Sequence, residues 1–348
     1  MVAGAGMAGL AAAARARELG ASVTLVEKGE RPGGSMLLSS GVVWRHRELE
    51  RFEAECPAGD RGLQRILHDR LDDALAWLEQ LGARALSRDT GNPLTTGVRF
   101  DTAQLTETLV RAAGGAELSA PIESAPADVP LILATGGFHA NRDLLREHVT
   151  PEAGSLQIRG NPWSTGDGLR IGGDRGAATG AGLEEFYGRN MPAPPAVYGE
   201  RDFVRLAQLY AAHATVTSAT GETFRTSTWS EIDVVQWTAR QPDARARYAV
   251  ADDALGERVR DRTVAEMIEA ARVAGAPVDR RDGVTVVEVV AAVTTTLGGL
   301  RIDDHAQAAP GVFVAGADAG EIFTGGYGSG LAAALVFGRL AAESALAA

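Results

Sequence analysis

Val2-Ala3-Gly4-Ala5-Gly6-Met7-Ala8-Gly9-Leu10 is the stretch from which the rest of the chain is read. Gly4, Gly6 and Gly9 form G-x-G-x-x-G between a short apolar start and the helix-forming run Leu10–Leu19. In a strand, turn and helix each glycine has a steric purpose. Gly4 allows the tight turn, Gly6 lets backbone approach a pyrophosphate, and Gly9 lets the helix lie close on the sheet, so that free N–H groups and the helix dipole face an anion. Gly20 ends the helix, Ser22–Val26 reads as the second strand, and Glu27 stands at its carboxyl end, eighteen residues past Gly9. A carboxylate there suits the two hydroxyls of an adenosine ribose, whereas an arginine would favour a 2′-phosphate.

The chain has 348 residues, enough for a large core and for two domains. Apolar residues at 45% and charged ones at 23% are ordinary for a globular protein. A formal net charge of −11 argues against a general nucleic-acid or anionic-membrane surface. Cys56 is the only cysteine, which excludes an internal disulfide and a thiolate metal cluster, so no metal is expected. No membrane span or cleavable leader is legible, and a cytoplasmic protein is expected. Only three residues precede Gly4, where about five would be usual for a first strand, so the expectation is that a few upstream residues are missing.

Past Glu27, the run Lys28–Ser35 is a loop by composition and continues into an apolar stretch, Met36–Trp44, interrupted by Ser39, Ser40 and Gly41. A second glycine-serine segment is more than a nicotinamide needs and suits the longer reach of a flavin. Leucines from Leu63 to Leu81 recur at helical spacing, with Gly82 as a stop and His68 among the solvated positions. A helix near Thr102–Ala113 is capped by Asp101, and a proline-punctuated connection over 121–130 leads to the apolar strand Leu131–Ala134. Thr135-Gly136-Gly137 follows, then His139 at the start of the next helix, read as mainly structural. Composition changes near Pro151, with helical patterns at Glu231–Arg240 and Val264–Ala274. Strands return at Val286–Val293 and Gly311–Val314, and Gly325-Gly326-Tyr327-Gly328-Ser329-Gly330 opens the helix Leu331–Ala347. That helix start suits negative charge on the N1–C2=O2 edge of a reduced flavin. The fold expected is α/β: a Rossmann-like domain of parallel sheet and helices over 1–150 and 286–348, split by an inserted α+β capping domain over 151–285.

At these residues the chain resembles the flavoprotein family of fumarate reductase, succinate dehydrogenase and 3-ketosteroid dehydrogenase. The resemblance runs through GAGMAGL with Glu27-Lys28, PGGS with SSG, ATGGF at Ala134–Phe138, STGDG at Ser164–Gly168, TLGGLRID at Thr296–Asp303, and VAGADAG with GGYGSGL at Val314–Leu331. RGNPWSTGDGLR, FYGRNMPAPPA and GYGSGLAAALVFGR look most like the tricarballylate-dehydrogenase-like branch. The resemblance implies FAD bound across Gly4, Ala5, Gly6, Met7, Ala8 and Gly9, across Glu27 and Lys28, and across Gly33, Gly34 and Ser35. It continues through Ser39, Ser40, Gly41, Thr135, Gly136, Gly137, Gly316, Ala317, Asp318, Ser329, Gly330 and Leu331. It implies hydride exchange between flavin N5 and a carbon–carbon bond next to a carboxyl or carbonyl group, with the substrate between flavin and cap.

Departures from the family pattern shape the expected roles. Its histidine before TxGG is Thr295 here, the arginine-bearing turn near the C-terminus holds Tyr327, and the histidine after FYG is Arg189. The cap motif N-x-x-G-x-R-F-x-[DN]-E becomes Ser218–Ser227 without its Asn, Arg and acids, and no histidine lies near Gly34–Met36 for a covalent flavin link. Strict fumarate reduction is therefore not expected. Tyr327 is the leading candidate for a proton or hydrogen-bond donor, with Arg189 and Tyr187 for a substrate carboxylate and Thr295 for a hydroxyl contact. No second dinucleotide motif occurs, so the electron donor or acceptor is expected to be external. The alternatives left open are an FAD-binding protein with a degenerate, non-catalytic cap, and another flavin oxidase or hydroxylase chemistry on the same scaffold.

Overall fold

The computed structural model describes residues 1–123 and 129–347, so the connection expected over 121–130 lies partly outside the described residues. The chain forms two compact units. Met1–Asn141, Asn161–Glu185 and Thr295–Ala348 make the first, and Arg142–Gly160 with Phe186–Thr294 the second. The borders expected near 151 and 285 thus move to 142 and 294, and residues 161–185 return to the first unit. Hydrogen bonds explain the return. Gly168 N–H donates to Thr135 Oγ1 at 2.9 Å, and Lys28 Nζ reaches Thr165 and Asp167.

In the first unit a five-stranded sheet runs in the order Gln307–Ala309, Val312–Val314, Leu131–Leu133, Val2–Ala3, Leu25–Val26. The last four are parallel and only the edge strand Gln307–Ala309 is antiparallel. Leu131–Leu133 and Val312–Val314 are wholly buried, as unbroken apolar strands are in a parallel sheet covered on both faces. The expected second strand shortens to Leu25–Val26. The helix Met7–Glu18 packs on Gly330–Ala347, where a Cβ on Gly338 would stand 2.4 Å from the Ala8 carbonyl oxygen, and Arg15 pairs with Glu343 at 2.9 Å. By length and composition Gly330–Ala347 would also cross a membrane, yet 61% of its apolar window is buried, as for a core helix.

Local chemistry sets the other helices. Asp60 Oδ1 accepts Leu63 N–H at the start of Arg61–Gln80, whose leucines 63, 67, 71, 75 and 78 are buried. Asp101 accepts the amides of Ala103 and Gln104 before Thr102–Ala113. His139 lies in the turn before the helix Arg142–His148 and is completely buried, and burial pushes its pKa down to about 4. The Met36–Trp44 stretch becomes a 3₁₀ turn, Gly34–Leu38, followed by the strand Val42–His46, which pairs with Thr95–Phe100 in a three-stranded antiparallel sheet with Ala85–Ser87.

The second unit is built on a seven-stranded sheet around the thirteen-residue strand Val284–Thr296. Arg245–Ala251 pairs antiparallel with it, and Gln157–Ile158 parallel. Tyr210 and Tyr248 meet edge to face in its core at 5.4 Å.

Gly9→Ala is expected to cost about 1–3 kcal/mol by overpacking, because its Cβ would lie 1.8 Å from the Gly4 carbonyl oxygen. Gly173→Ala, on an exposed helical position with nothing within 4 Å, should leave stability equal or about 1 kcal/mol higher. Urea denaturation of the two variants checks this; equal losses would refute it.

Candidate functional site

The first unit gathers its glycine-rich turns at the carboxyl ends of the parallel strands. Gly4 has φ +100°, and a Cβ there would stand 2.2 Å from the Ala134 carbonyl oxygen. Gly6 is different, since nothing lies within 4 Å of where its Cβ would be. No side chain caps the helix that follows, and among the described residues nothing accepts the Met7 and Ala8 amides. Open space in front of unpartnered N–H groups at a positive helix end is the donor set an anion requires. Gly33 N–H donates to the Ala5 carbonyl at 2.7 Å, and a Cβ on Gly34 would come 3.2 Å from the Gly6 Cα, so the two turns abut.

Glu27 is 6% exposed, and its two oxygens accept Ala5 N–H and Gly29 N–H, each at 2.7 Å. A carboxylate oxygen has a second lone pair, so these bonds orient Glu27 and leave acceptor capacity. It lines a concavity with Lys28, Ile122, Thr135, Asn161 and Trp163. Several expected contact residues serve the fold. Ser35 Oγ accepts Asn161 N–H, and Ser39 Oγ donates to the Met36 carbonyl and accepts Gly41 N–H. Ser40 is exposed and Gly41 is buried.

Asp318 is fully buried, and its carboxylate accepts Thr135 N–H, Thr135 Oγ1–H and Gly137 N–H, fixing the turn in which Gly136 and Gly137 have positive φ. Burial raises its pKa although these donors pull the other way. Gly316 and Ala317, just before it in the chain, are half-buried. Ser329 Oγ accepts Ala332 N–H at the final helix start. There Gly330 N–H donates to the Tyr327 hydroxyl at 3.3 Å, and the Leu331 amide has no acceptor among the described residues. Tyr327 and Trp44 are half-buried and meet edge to face at 6.4 Å. Thr295 Oγ1 donates to the Thr296 carbonyl.

In the second unit Tyr187 and Arg189 share the strand Phe186–Pro192, and the guanidinium carbon of Arg189 lies 4.9 Å from the Tyr187 ring centre. Arg189 is buried and donates to the Ser230 carbonyl. Burial opposes ionisation of the Tyr187 phenol, but the charges of Arg189, Arg159 and Arg260 outweigh it and hold its pKa below the ordinary value. The altered motif Ser218–Ser227 forms a hairpin turn and a loop in which Thr226, Ser227 and Thr228 bind the Asp233 carboxylate.

Glu231 was missed from the sequence, where it reads as the first residue of a helix. It sits at φ +56°, 9% exposed, with Oε1 accepting Ala211 N–H at 2.9 Å. Burial pushes its pKa up to about 7 against Arg189 and the amides of Ala211 and Ala212. The cue available in sequence was an acid just outside the lost motif.

The FAD binding domain family matches residues 115–330, and the NAD(P)-binding Rossmann-like domain family matches residues 2–47. The vinyl phenol reductase of Lactiplantibacillus plantarum is 28% identical over 241 residues, 56% of this chain and 49% of that one, so the match spans about half the length of this relative. Among solved structures, an open-form flavocytochrome c3 fumarate reductase aligns with TM-score 0.72 at 20% identity, over 99% of this chain and 77% of that one. The 3-ketosteroid-Δ4-(5α)-dehydrogenase of Rhodococcus jostii RHA1 aligns with TM-score 0.73 at 17% identity, over 99% and 95%. At these identities the structural likeness is one of fold.

Two outcomes follow. Gly6→Ala should leave the stability of the ligand-free protein within about 0.5 kcal/mol, since φ is −77° and space is open, while abolishing the visible chromophore of the purified protein. For Glu231, a folded pKa near 7 against 4.5 unfolded means that the folded state holds the proton more tightly, so stability falls as pH rises between these values. Unfolding measured at pH 5 and pH 8 should show the wild type losing on the order of 3 kcal/mol more than Glu231→Gln. Parallel profiles would refute the assignment.

Proposed function

The chain belongs to the FAD binding domain family and is an FAD-binding oxidoreductase, and on that premise we propose that it desaturates or saturates a carbon–carbon bond next to a carboxyl or carbonyl group. The cofactor is FAD, and when bound it supplies hydride exchange with the β carbon of the substrate. The residues fit it: open space at Gly6, unaccepted amides at Met7, Ala8 and Leu331, and the oriented Glu27 carboxylate are the groups a dinucleotide pyrophosphate, a flavin edge and a ribose call for. We assign pyrophosphate binding to Gly4–Gly9 with Gly33–Ser35, ribose binding to Glu27, and the flavin edge to Ser329–Leu331. Binding is non-covalent in this reading, as no histidine stands near Gly34–Met36.

The observation that carries the chemistry is the Tyr327 hydroxyl at the positive end of the final helix. Its oxygen takes Gly330 N–H, and in this reading the phenol, a better acid than base, donates a proton to a substrate oxygen or to the α carbon. Arg189 holds a substrate anion, Tyr187 beside it is the second hydroxyl donor, and Thr295 contributes a weaker contact. The name of the vinyl phenol reductase supports a reductase acting at a vinyl group. Electrons enter or leave through an external partner.

The purified protein should be yellow and release FAD on denaturation. Its bound FAD, reduced anaerobically, should be re-oxidised by unsaturated acids or enones. Tyr327→Phe should lower that rate about 10²- to 10⁴-fold with flavin absorbance intact. A colourless protein that takes up no FAD, or bound flavin inert to every activated alkene, would overturn the proposal.

A further inference from the structure

Resting on that placement of FAD, we propose that Asn161 and Trp163 hold the adenosine diphosphate half of the cofactor, the Asn161 side-chain amide donating to the diphosphate and the Trp163 indole walling the adenosine. Both lie in the stretch 161–185 that belongs to the first unit. Asn161 is 8% exposed, and its backbone N–H donates to Ser35 Oγ at 3.0 Å, which ties it to the turn of residues 33–35. Its Oδ1 accepts Trp163 N–H at 3.0 Å. Only the oxygen of a side-chain amide can take an N–H, so this bond sets the orientation and turns Nδ2 the other way. Nothing accepts from Nδ2 among the described residues. It stands 3.6 Å from where a Cβ on Gly34 would begin, and the Gly6 amide nitrogen stands 3.9 Å from the same point. Two nitrogens, one of backbone and one of a buried side chain, thus flank the corner where Gly6 and Gly34 abut. A buried donor without an acceptor is costly, and an anion at that corner supplies the acceptor.

The charges of the neighbouring concavity make a neutral donor matter. Lys28 is the only cation among the described residues that line it, and its Nζ is engaged by Asp167 at 2.8 Å and Thr165 at 2.5 Å. Glu27, oriented by the Ala5 and Gly29 amides, adds negative charge to the same lining. A diphosphate beside it is met by N–H groups in place of a free lysine. The Lys28 bonds also fasten residues 165 and 167 to the end of the strand Leu25–Val26, as Ser35 fastens Asn161. Trp163 lies between the two fastenings.

The indole is half-buried and lies on the backbone of Gly29, where a Cβ would come 2.5 Å from Cε3. Gly29 N–H is one of the two donors that orient Glu27, so the ring and the carboxylate assigned to the ribose share a loop residue. With Val26, Ala120 and Ile122 the indole gives the concavity apolar surface beside that carboxylate. A flat ring next to an acceptor of sugar hydroxyls suits a nucleoside, and a diphosphate alone has no use for it.

The test uses the full chain stripped of flavin, with uptake of FAD followed by the spectrum of the bound flavin and with ADP and adenosine as competitors of that uptake. ADP should compete better than adenosine. Asn161→Asp keeps an oxygen for Trp163 N–H and loses the donor, so it should weaken FAD and ADP about 10- to 100-fold and leave adenosine within about twofold. Trp163→Leu should weaken ADP and adenosine alike, by about tenfold. Should either variant fail to fold, Asn161→Ser, whose hydroxyl can accept the same N–H, and Trp163→Met replace them with the same expectations. Equal losses of ADP and adenosine in the Asn161 variant, or none, would overturn the diphosphate contact. ADP and adenosine unmoved by the Trp163 variant would overturn the nucleoside wall. Either result would leave FAD binding by the wild type intact, whereas a wild type that takes up no FAD would remove the cofactor placement, and this proposal with it.

Discussion

The Gly4 carbonyl oxygen occupies the place where a side chain at residue 9 would begin, 1.8 Å from the would-be Cβ. A helix can approach a strand end this closely only without side chains between them. The same exclusion recurs around it. Gly4 presses on Ala134, Gly338 on the Ala8 carbonyl, and a Cβ on Gly316 would come 3.0 Å from that of Ala8. Two helices from opposite ends of the chain are thereby drawn onto one corner of the parallel sheet. The first turn of Met7–Glu18 keeps its Met7 and Ala8 amides unaccepted with no capping side chain, and the final helix leaves the Leu331 amide unaccepted between the Gly330 and Ala332 amides that Tyr327 and Ser329 take, all among the described residues.

Asp318 does for the third turn what glycine does for the first. Its buried carboxylate takes two amides and a hydroxyl of the Thr135–Gly137 turn, so two strands of the sheet share one hydrogen-bonded corner. A residue that looks like a ligand contact in sequence is here hydrogen-bonded to the backbone of that turn. Ser35 and Ser39 are likewise bound to the chain itself.

The second unit solves a different problem. Its strand Phe186–Pro192 carries Arg189 into a buried setting where the available acid is held protonated by the same burial. The arginine is stabilised by a carbonyl and by the Tyr187 ring. The lost acids of the Ser218–Ser227 motif have no replacement within it; its last residues are tied to Asp233, and Glu231 stands beyond.

The local rules of chain geometry were legible in the residues alone. G-x-G-x-x-G, the caps at Asp101, the leucine spacing of residues 63 to 78 and the unbroken apolar strands each state their conformation within a few neighbours, because sterics and short-range hydrogen bonds act there. Those features carried the α/β class and the cofactor. Tertiary structure alone decided which unit residues 161–185 join, that Val42–His46 would find Thr95–Phe100, that Asp318 faces inward, and that Glu231 is buried beside Arg189. Each of these depends on desolvation or pairing between segments far apart in the chain, and the free energy of a buried charge or a strand edge is set by partners that no local pattern names.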